Sequence, residues 1–168
     1  MPRLTMNTTR TQQTTSLIIL LAIMVIVGTF GARASINAPG FYAELAKPDW
    51  APPAGVFGPV WTLLYLMMTV AAWLVVRTRR WAGSRIEMSV YFLQLLLNAL
   101  WSWLFFAWRN GNGALIDIAL LWLAIVCNVV LFWRVQRWAG ILLVPYLLWV
   151  SFAAALTWSV VRLNPQLL

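Results

Sequence analysis

Histidine is absent from this chain, and cysteine occurs once, as Cys127. Without histidine the sequence lacks the commonest metal ligand, the commonest general base and the usual haem axial ligand. One cysteine builds no intrachain disulfide framework, and inside an apolar run Cys127 reads as a small buried hydrophobe. Acid is scarce as well: four Asp+Glu stand against twelve Lys+Arg, a net charge of +8. A basic balance can signal nucleic acid, but these arginines lie between apolar runs and not on a soluble face. No nucleic acid partner, metal site or required cofactor is therefore expected.

What fills the chain is hydrocarbon. Of its 168 residues 62% are hydrophobic and 10% charged, and the mean hydropathy is +0.81. A soluble domain of this size cannot hide that much apolar surface, so the bilayer must be the solvent. After a polar N-terminal arm, residues 1–16, five apolar runs follow at about 17–32, 54–76, 88–108, 114–133 and 139–161, before a short tail at 163–168. Each later run can cross a core of about 30 Å at about 1.5 Å per residue. Lipid offers unpaired backbone no partner, and period-2 alternation is missing, so the runs read as helices and not as barrel strands. The expected fold is an all-α integral membrane protein, a bundle of five transmembrane helices spanning residues 17–162. Most connections are short, so sequential helices should be antiparallel neighbours. The long one, 33–53, is the exception.

Five spans place the termini on opposite sides. Arg3, Arg10, Arg77, Arg79, Arg80, Arg85, Arg134 and Arg137 fall on the side of the N-terminus; Arg33, Lys47, Arg109 and Arg162 fall on the other. That bias predicts a cytoplasmic N-terminus and an outside C-terminus. It also allows the arginine cluster after the second span to meet membrane lipid headgroups.

Polar groups inside the spans are the informative ones. Gln94 and Asn98 share a face of the third span, continued by Ser102 and flanked by Trp101 and Phe105. The second span sets Trp61, Tyr65 and Met68 on one stripe. The fifth sets Pro145, Trp149, Ala153 and Leu156 on another, with Tyr146 beside it. Either is core packing or the wall of a cavity; flat aromatic walls with a few amides suit a large, flat, apolar ligand. Pro59 and Pro145 should loosen their helices locally. Asp117, near the outer end of the fourth span, is expected to reach water or pair with Arg109. Among twelve tryptophans most lie at span ends as interfacial anchors; Trp50, Trp61 and Trp149 sit instead beside prolines or a polar face.

Three segments carry a resemblance: KPDWAPPAGVFGPVWTLLYLMM, QLLLNALWSWLFF and WAGILLVPYLLWVSFAAALTWSVVRLN. In this order across five spans, the chain from about Gly40 to Asn164 resembles the translocator protein / tryptophan-rich sensory protein family (TspO/MBR, the peripheral-type benzodiazepine receptor family). The resemblance implies a bacterial membrane receptor or sensor, usually a homodimer, whose pocket opens toward the long first loop. It implies porphyrin ligands, protoporphyrin IX or haem, and a role in tetrapyrrole regulation or stress response. Light- and oxygen-dependent porphyrin breakdown through Trp61 and Trp149 is the runner-up, and porphyrin transport a third reading; no internal repeat supports the last. By motif, Trp50 resembles the loop tryptophan that covers the pocket, Trp61 and Trp149 the porphyrin-contacting pair, Asn98 the polar ligand contact, and Ala153 a small residue whose enlargement disturbs binding. Phe41 stands where some relatives have tryptophan. Trp158 replaces the tyrosine of the sterol-recognition pattern, and Thr157 replaces an asparagine. The third span has no small-residue stripe; Gly28 and Ala32 on the first offer such a pair for a dimer seam. The expected ligand set is thus Phe41, Trp50, Trp61, Tyr65, Gln94, Asn98, Trp101, Pro145, Tyr146, Trp149, Ala153 and Leu156, with Phe41 and Trp50 on a loop that acts as a lid.

Overall fold

A computed structural model of the chain describes residues 9–168. Six helices and two short helical turns make it up, with no strand among the described residues: α1 (Arg10–Ala34), α2 (Ala38–Glu44), α3 (Phe57–Gly83), α4 (Arg85–Ser102), α5 (Gly111–Val135) and α6 (Arg137–Leu163). All but α2 are long and apolar enough to cross a membrane. The chain is therefore a five-helix membrane bundle, as composition required.

Three of the six helices, α1, α5 and α6, begin where a polar side chain satisfies a free backbone N–H group. Thr9 and Gln12 form a reciprocal capping box at 3.3 Å in both directions. This starts α1 at Arg10, inside the stretch read as a polar arm; the rest of that arm, with Arg3, lies outside the described residues. Asn110 caps α5 by accepting from Gly113 N–H at 2.8 Å, and Gln136 caps α6 by accepting from Ala139 N–H at 3.0 Å. Pro59 falls in the first turn of α3, where no intrahelical donor is needed, so it does not loosen the span as the sequence suggested. Pro145 is inside α6, which continues through it.

In the bundle α1 lies against α3 and α4, α3 against α6, α6 against α5, and α5 against α4, closing a ring. The α5–α6 contact is the most extensive. Gly140 makes it possible: a Cβ there would meet Trp133 backbone at 2.9 Å. By contrast α3 and α4, although joined through the single residue Ser84, contact each other less than α4 and α5 do. Sequential order is not uniformly spatial order here, because α1 packs against both. The core is continuous and aromatic-rich, with Met68, Tyr91, Phe132, Leu143 and Tyr146 fully enclosed.

Two irregularities shape the far end of α4. Its last turn, Trp103–Ala107, widens into a π-helical turn closed by Trp108 N–H donating to Trp103 C=O at 2.8 Å. Arg109 follows with φ 50°, and its guanidinium lies 4.5 Å from the Phe41 ring centroid. It makes no pair with Asp117. Asp117 is buried and one of its oxygens has no partner; the only ion pair among the described residues is Arg79–Glu87. Cys127, expected inside, is exposed on the outer face of α5.

Candidate functional site

The connection between α1 and α3 is built, not loose. Asn164 at the end of α6 accepts from Ala46 N–H at 2.9 Å and donates to Ala46 C=O and Val160 C=O, both at 2.8 Å. Lys47 caps α2, donating to the carbonyls of Tyr42 at 2.6 Å and Leu45 at 2.7 Å, and its ammonium sits 4.9 Å from the Tyr42 ring centre. Tyr42 O–H donates to Pro52 C=O at 2.9 Å. Burial pushes the Tyr42 phenol pKa up, so it remains a donor at any physiological pH. These bonds seat α2 across the end of the bundle.

Beneath that seat lies a cavity of about 550 Å³, well inside the roughly 300–1,000 Å³ range of small-molecule sites. Gly28, Gly31 and Ala32 of α1 form one wall, and their small size leaves the room. Phe57, Trp61 and Tyr65 of α3, Asn98, Trp101 and Ser102 of α4, Phe106 of the π turn, and Trp149 and Ala153 of α6 form the others. Ala38, Pro39 and Tyr42 of α2 border its mouth.

A hydrogen-bonded chain runs along its floor. Tyr65 O–H donates to Asn98 Oδ1 at 2.6 Å, and Asn98 Nδ2–H donates to the Tyr146 hydroxyl oxygen at 3.1 Å. Trp61 packs on both tyrosines, tilted against Tyr65 at 5.8 Å and edge-on to Tyr146 at 6.2 Å. Trp149 meets Phe57 edge-on at 6.0 Å and Phe152 at 5.4 Å. Trp101 stacks on Phe105 at 5.1 Å and 10°. Two donors remain unused: the indole N–H groups of Trp101 and Trp149 are buried without a partner. A buried donor left unpaired costs about 1–3 kcal/mol, and both belong to residues of the cavity wall. The site is therefore largely apolar and aromatic.

Of the residues expected to hold a ligand, Trp61, Tyr65, Asn98, Trp101, Trp149 and Ala153 line this one space. Tyr146 lies directly behind it, bonded to Asn98. The others are placed elsewhere. Phe41 is buried in a second cluster with Leu45, Phe105 and Leu156; its neighbour Tyr42 takes the cavity wall. Trp50 is 50% exposed and touches the bundle through Phe152, edge-on at 5.7 Å. Gln94 is fully buried, donating to the Met68 sulfur at 3.8 Å, and like Pro145 is not in the wall. Gly28 and Ala32, read as a seam for a partner, line the cavity. Sequence reasoning missed Tyr42, Phe57 and Phe106. Phe57 was within reach, four residues before Trp61 on the same helical face; Phe106 depends on the π turn and left no periodic trace. No group of His, Cys, Asp and Glu able to hold a metal occurs among the described residues.

Comparison with known proteins agrees with this architecture. The family model for the TspO/MBR family matches residues 17–163. The chain is 39% identical to the tryptophan-rich protein TspO of Chlorobaculum tepidum, over 92% of this chain and 99% of that one. It is 37% identical to the tryptophan-rich sensory protein of Cereibacter sphaeroides, covering 74% and 77% of the two chains. The human translocator protein is 34% identical over 82% of this chain and 84% of its own. Five apolar helices and a match along nearly their whole length lead to one conclusion: this chain is a membrane protein of the TspO/MBR family.

Proposed function

We propose that this protein is a membrane receptor that binds a porphyrin, protoporphyrin IX or haem, in the cavity under α2, and so reports on tetrapyrrole supply or stress. One observation carries the reading: a cavity of about 550 Å³ walled by the aromatic side chains of Phe57, Trp61, Trp101, Phe106 and Trp149. A flat macrocycle offers faces for Trp61 and Trp149 to pack on. The amide of Asn98 is already committed to Tyr65 and Tyr146, so it fixes the floor more than it recruits ligand.

A second reading rests on the same wall. Trp61 and Trp149 would touch the bound macrocycle, which suits light- and oxygen-dependent breakdown with indoles as the oxidisable groups. The arginine bias favours an N-terminus in the cytoplasm of a bacterial inner membrane, with the cavity opening outward. Relatives named as sensory and as translocator proteins support a ligand-handling role in the membrane.

The test is a protoporphyrin IX titration of the purified protein in detergent, followed by the Soret band in darkness and again under light with oxygen. Saturation at a stoichiometric ratio in the dark supports the receptor. Loss of the porphyrin chromophore under light, absent in a Trp61→Phe, Trp149→Phe double variant, supports the second reading. Non-saturable uptake contradicts both.

A further inference from the structure

The opposite end of the bundle carries a second recess, independent of the porphyrin reading. A groove of about 750 Å³ runs between the first turns of α1 and the last turns of α3. Its floor is apolar, with Ile19 and Val76; its rim holds Gln12, Ser16, Arg77 and Arg80. The wall is held by two indoles that reach across to α1. Trp81 N–H donates to Ser16 Oγ at 3.0 Å, and Trp73 N–H donates to Gln13 C=O at 3.1 Å. Here the polar first turns of α1 meet the arginine-bearing last turns of α3, and both helices are long and apolar enough to cross a membrane.

Charge at this end is one-sided. Glu87 is the acid packed there, and Arg79 already holds it at 2.7 Å. Arg80 is half-buried on the rim with no ion-pair partner among the described residues. Its backbone is strained, at φ 60° and ψ 165°, a region open in practice to glycine alone. Ser84 Oγ–H donates to Arg80 C=O at 2.7 Å and helps hold the kink. Topology signalling needs arginines near this membrane face. It needs neither a groove nor an arginine in a glycine conformation.

We propose that this groove is a binding site for an anionic phospholipid: Arg80, with Arg77 beside it, takes the headgroup phosphate, and an acyl chain lies on the floor of Ile19 and Val76. Charge complementarity selects the headgroup, since the permanently charged Arg80 guanidinium has no ion-pair partner among the described residues. The apolar floor selects a lipid over a free anion.

Native mass spectrometry of the full chain in detergent tests this, with dioleoyl phosphatidylglycerol and dioleoyl phosphatidylcholine titrated separately. Three proteins are compared: wild type, Arg80→Gly and Arg134→Gln. Glycine removes the guanidinium while accepting the same backbone, so Arg80→Gly should fold and melt as wild type does. Arg134 lies in the last turn of α5, at the same end but outside the groove. Expected is at least a tenfold preference for phosphatidylglycerol in wild type and Arg134→Gln, reduced severalfold or lost in Arg80→Gly. Equal binding of both lipids overturns the proposal, as does a preference that survives in Arg80→Gly or falls equally in Arg134→Gln. Full displacement of lipid by millimolar inorganic phosphate also overturns it, because the site would then be one for free anions. So does a preference that emerges only on deletion of residues 2–8, which would assign the groove to the chain's own first residues.

Discussion

Tyr65 and Asn98 hold the cavity floor together across α3 and α4. Removing the Tyr65 hydroxyl leaves Asn98 Oδ1 without its 2.6 Å donor in a buried setting. Tyr65→Phe should therefore destabilise the protein by about 1–3 kcal/mol, seen as a lower melting temperature in detergent. Gly28 tells the opposite story. A Cβ there would find its nearest neighbour, the Tyr65 ring edge, 4.0 Å away. A larger side chain must then extend into the cavity, and helix propensity improves by up to about 1 kcal/mol. Gly28→Leu should keep or raise the melting temperature and abolish porphyrin saturation. At this scale the sequence was partly legible. Trp61, Tyr65, Asn98 and Trp149 announced themselves, because polar and aromatic side chains inside a span require an explanation. Phe41 against Tyr42 was not legible: adjacent aromatics on one short helix differ only in which way that helix is rotated, and packing onto Phe105 decides it, edge-on at 6.3 Å.

Helices and their joints set the second scale. Asn164 makes a paired contact with Ala46 that holds the α1–α3 connection to the end of α6. Asn164→Ala should raise hydrogen exchange and protease cleavage in residues 38–53 severalfold, while the exchange of α3 and α5 stays as in wild type. The joint between α5 and α6 is less forgiving. A Cβ on Gly140 would come within 2.8 Å of Trp133 Cβ and 2.9 Å of its Cα, and backbone cannot swing aside as a side chain can. Gly140→Ala should cost about 1–3 kcal/mol, read as a lower midpoint of thermal unfolding. Five spans were readable from hydropathy alone, since lipid permits nothing else. Their ends were less so. The capping box at Thr9 and Gln12 extends α1 into polar sequence, and the π turn at Trp103–Ala107 has no hydropathy signature.

For the molecule as a whole, the order of the ring follows from packing and not from chain order: α1 lies against both α3 and α4. That arrangement gives one bundle two recesses at opposite ends. One is aromatic, floored by bonded polar groups and bordered by α2; the other is rimmed by arginine. Composition predicted the membrane, and of the twelve residues expected around a ligand six line one cavity. Neither composition nor motif could locate the arginine groove, because it depends on the backbone kink at Arg80 and on two indoles reaching α1. Trp158 is half exposed at the end of α6, with Arg162 lying 4.3 Å from its ring centre.

The central claim is that the cavity, and Trp149 in particular, receives the porphyrin. Soret titration of Trp149→Phe beside Trp158→Phe tests it most directly, since both variants lose one indole and only one loses it from the cavity wall. Trp149→Phe shrinks the ring that packs on Phe57 and Phe152, so its folding is checked beside wild type, and porphyrin affinity should fall about tenfold, about 1.4 kcal/mol of lost ring contact. Trp158→Phe should bind as wild type does. Equal affinity in all three proteins, or equal loss in both variants, would contradict the account and place the porphyrin in the micelle instead of the bundle.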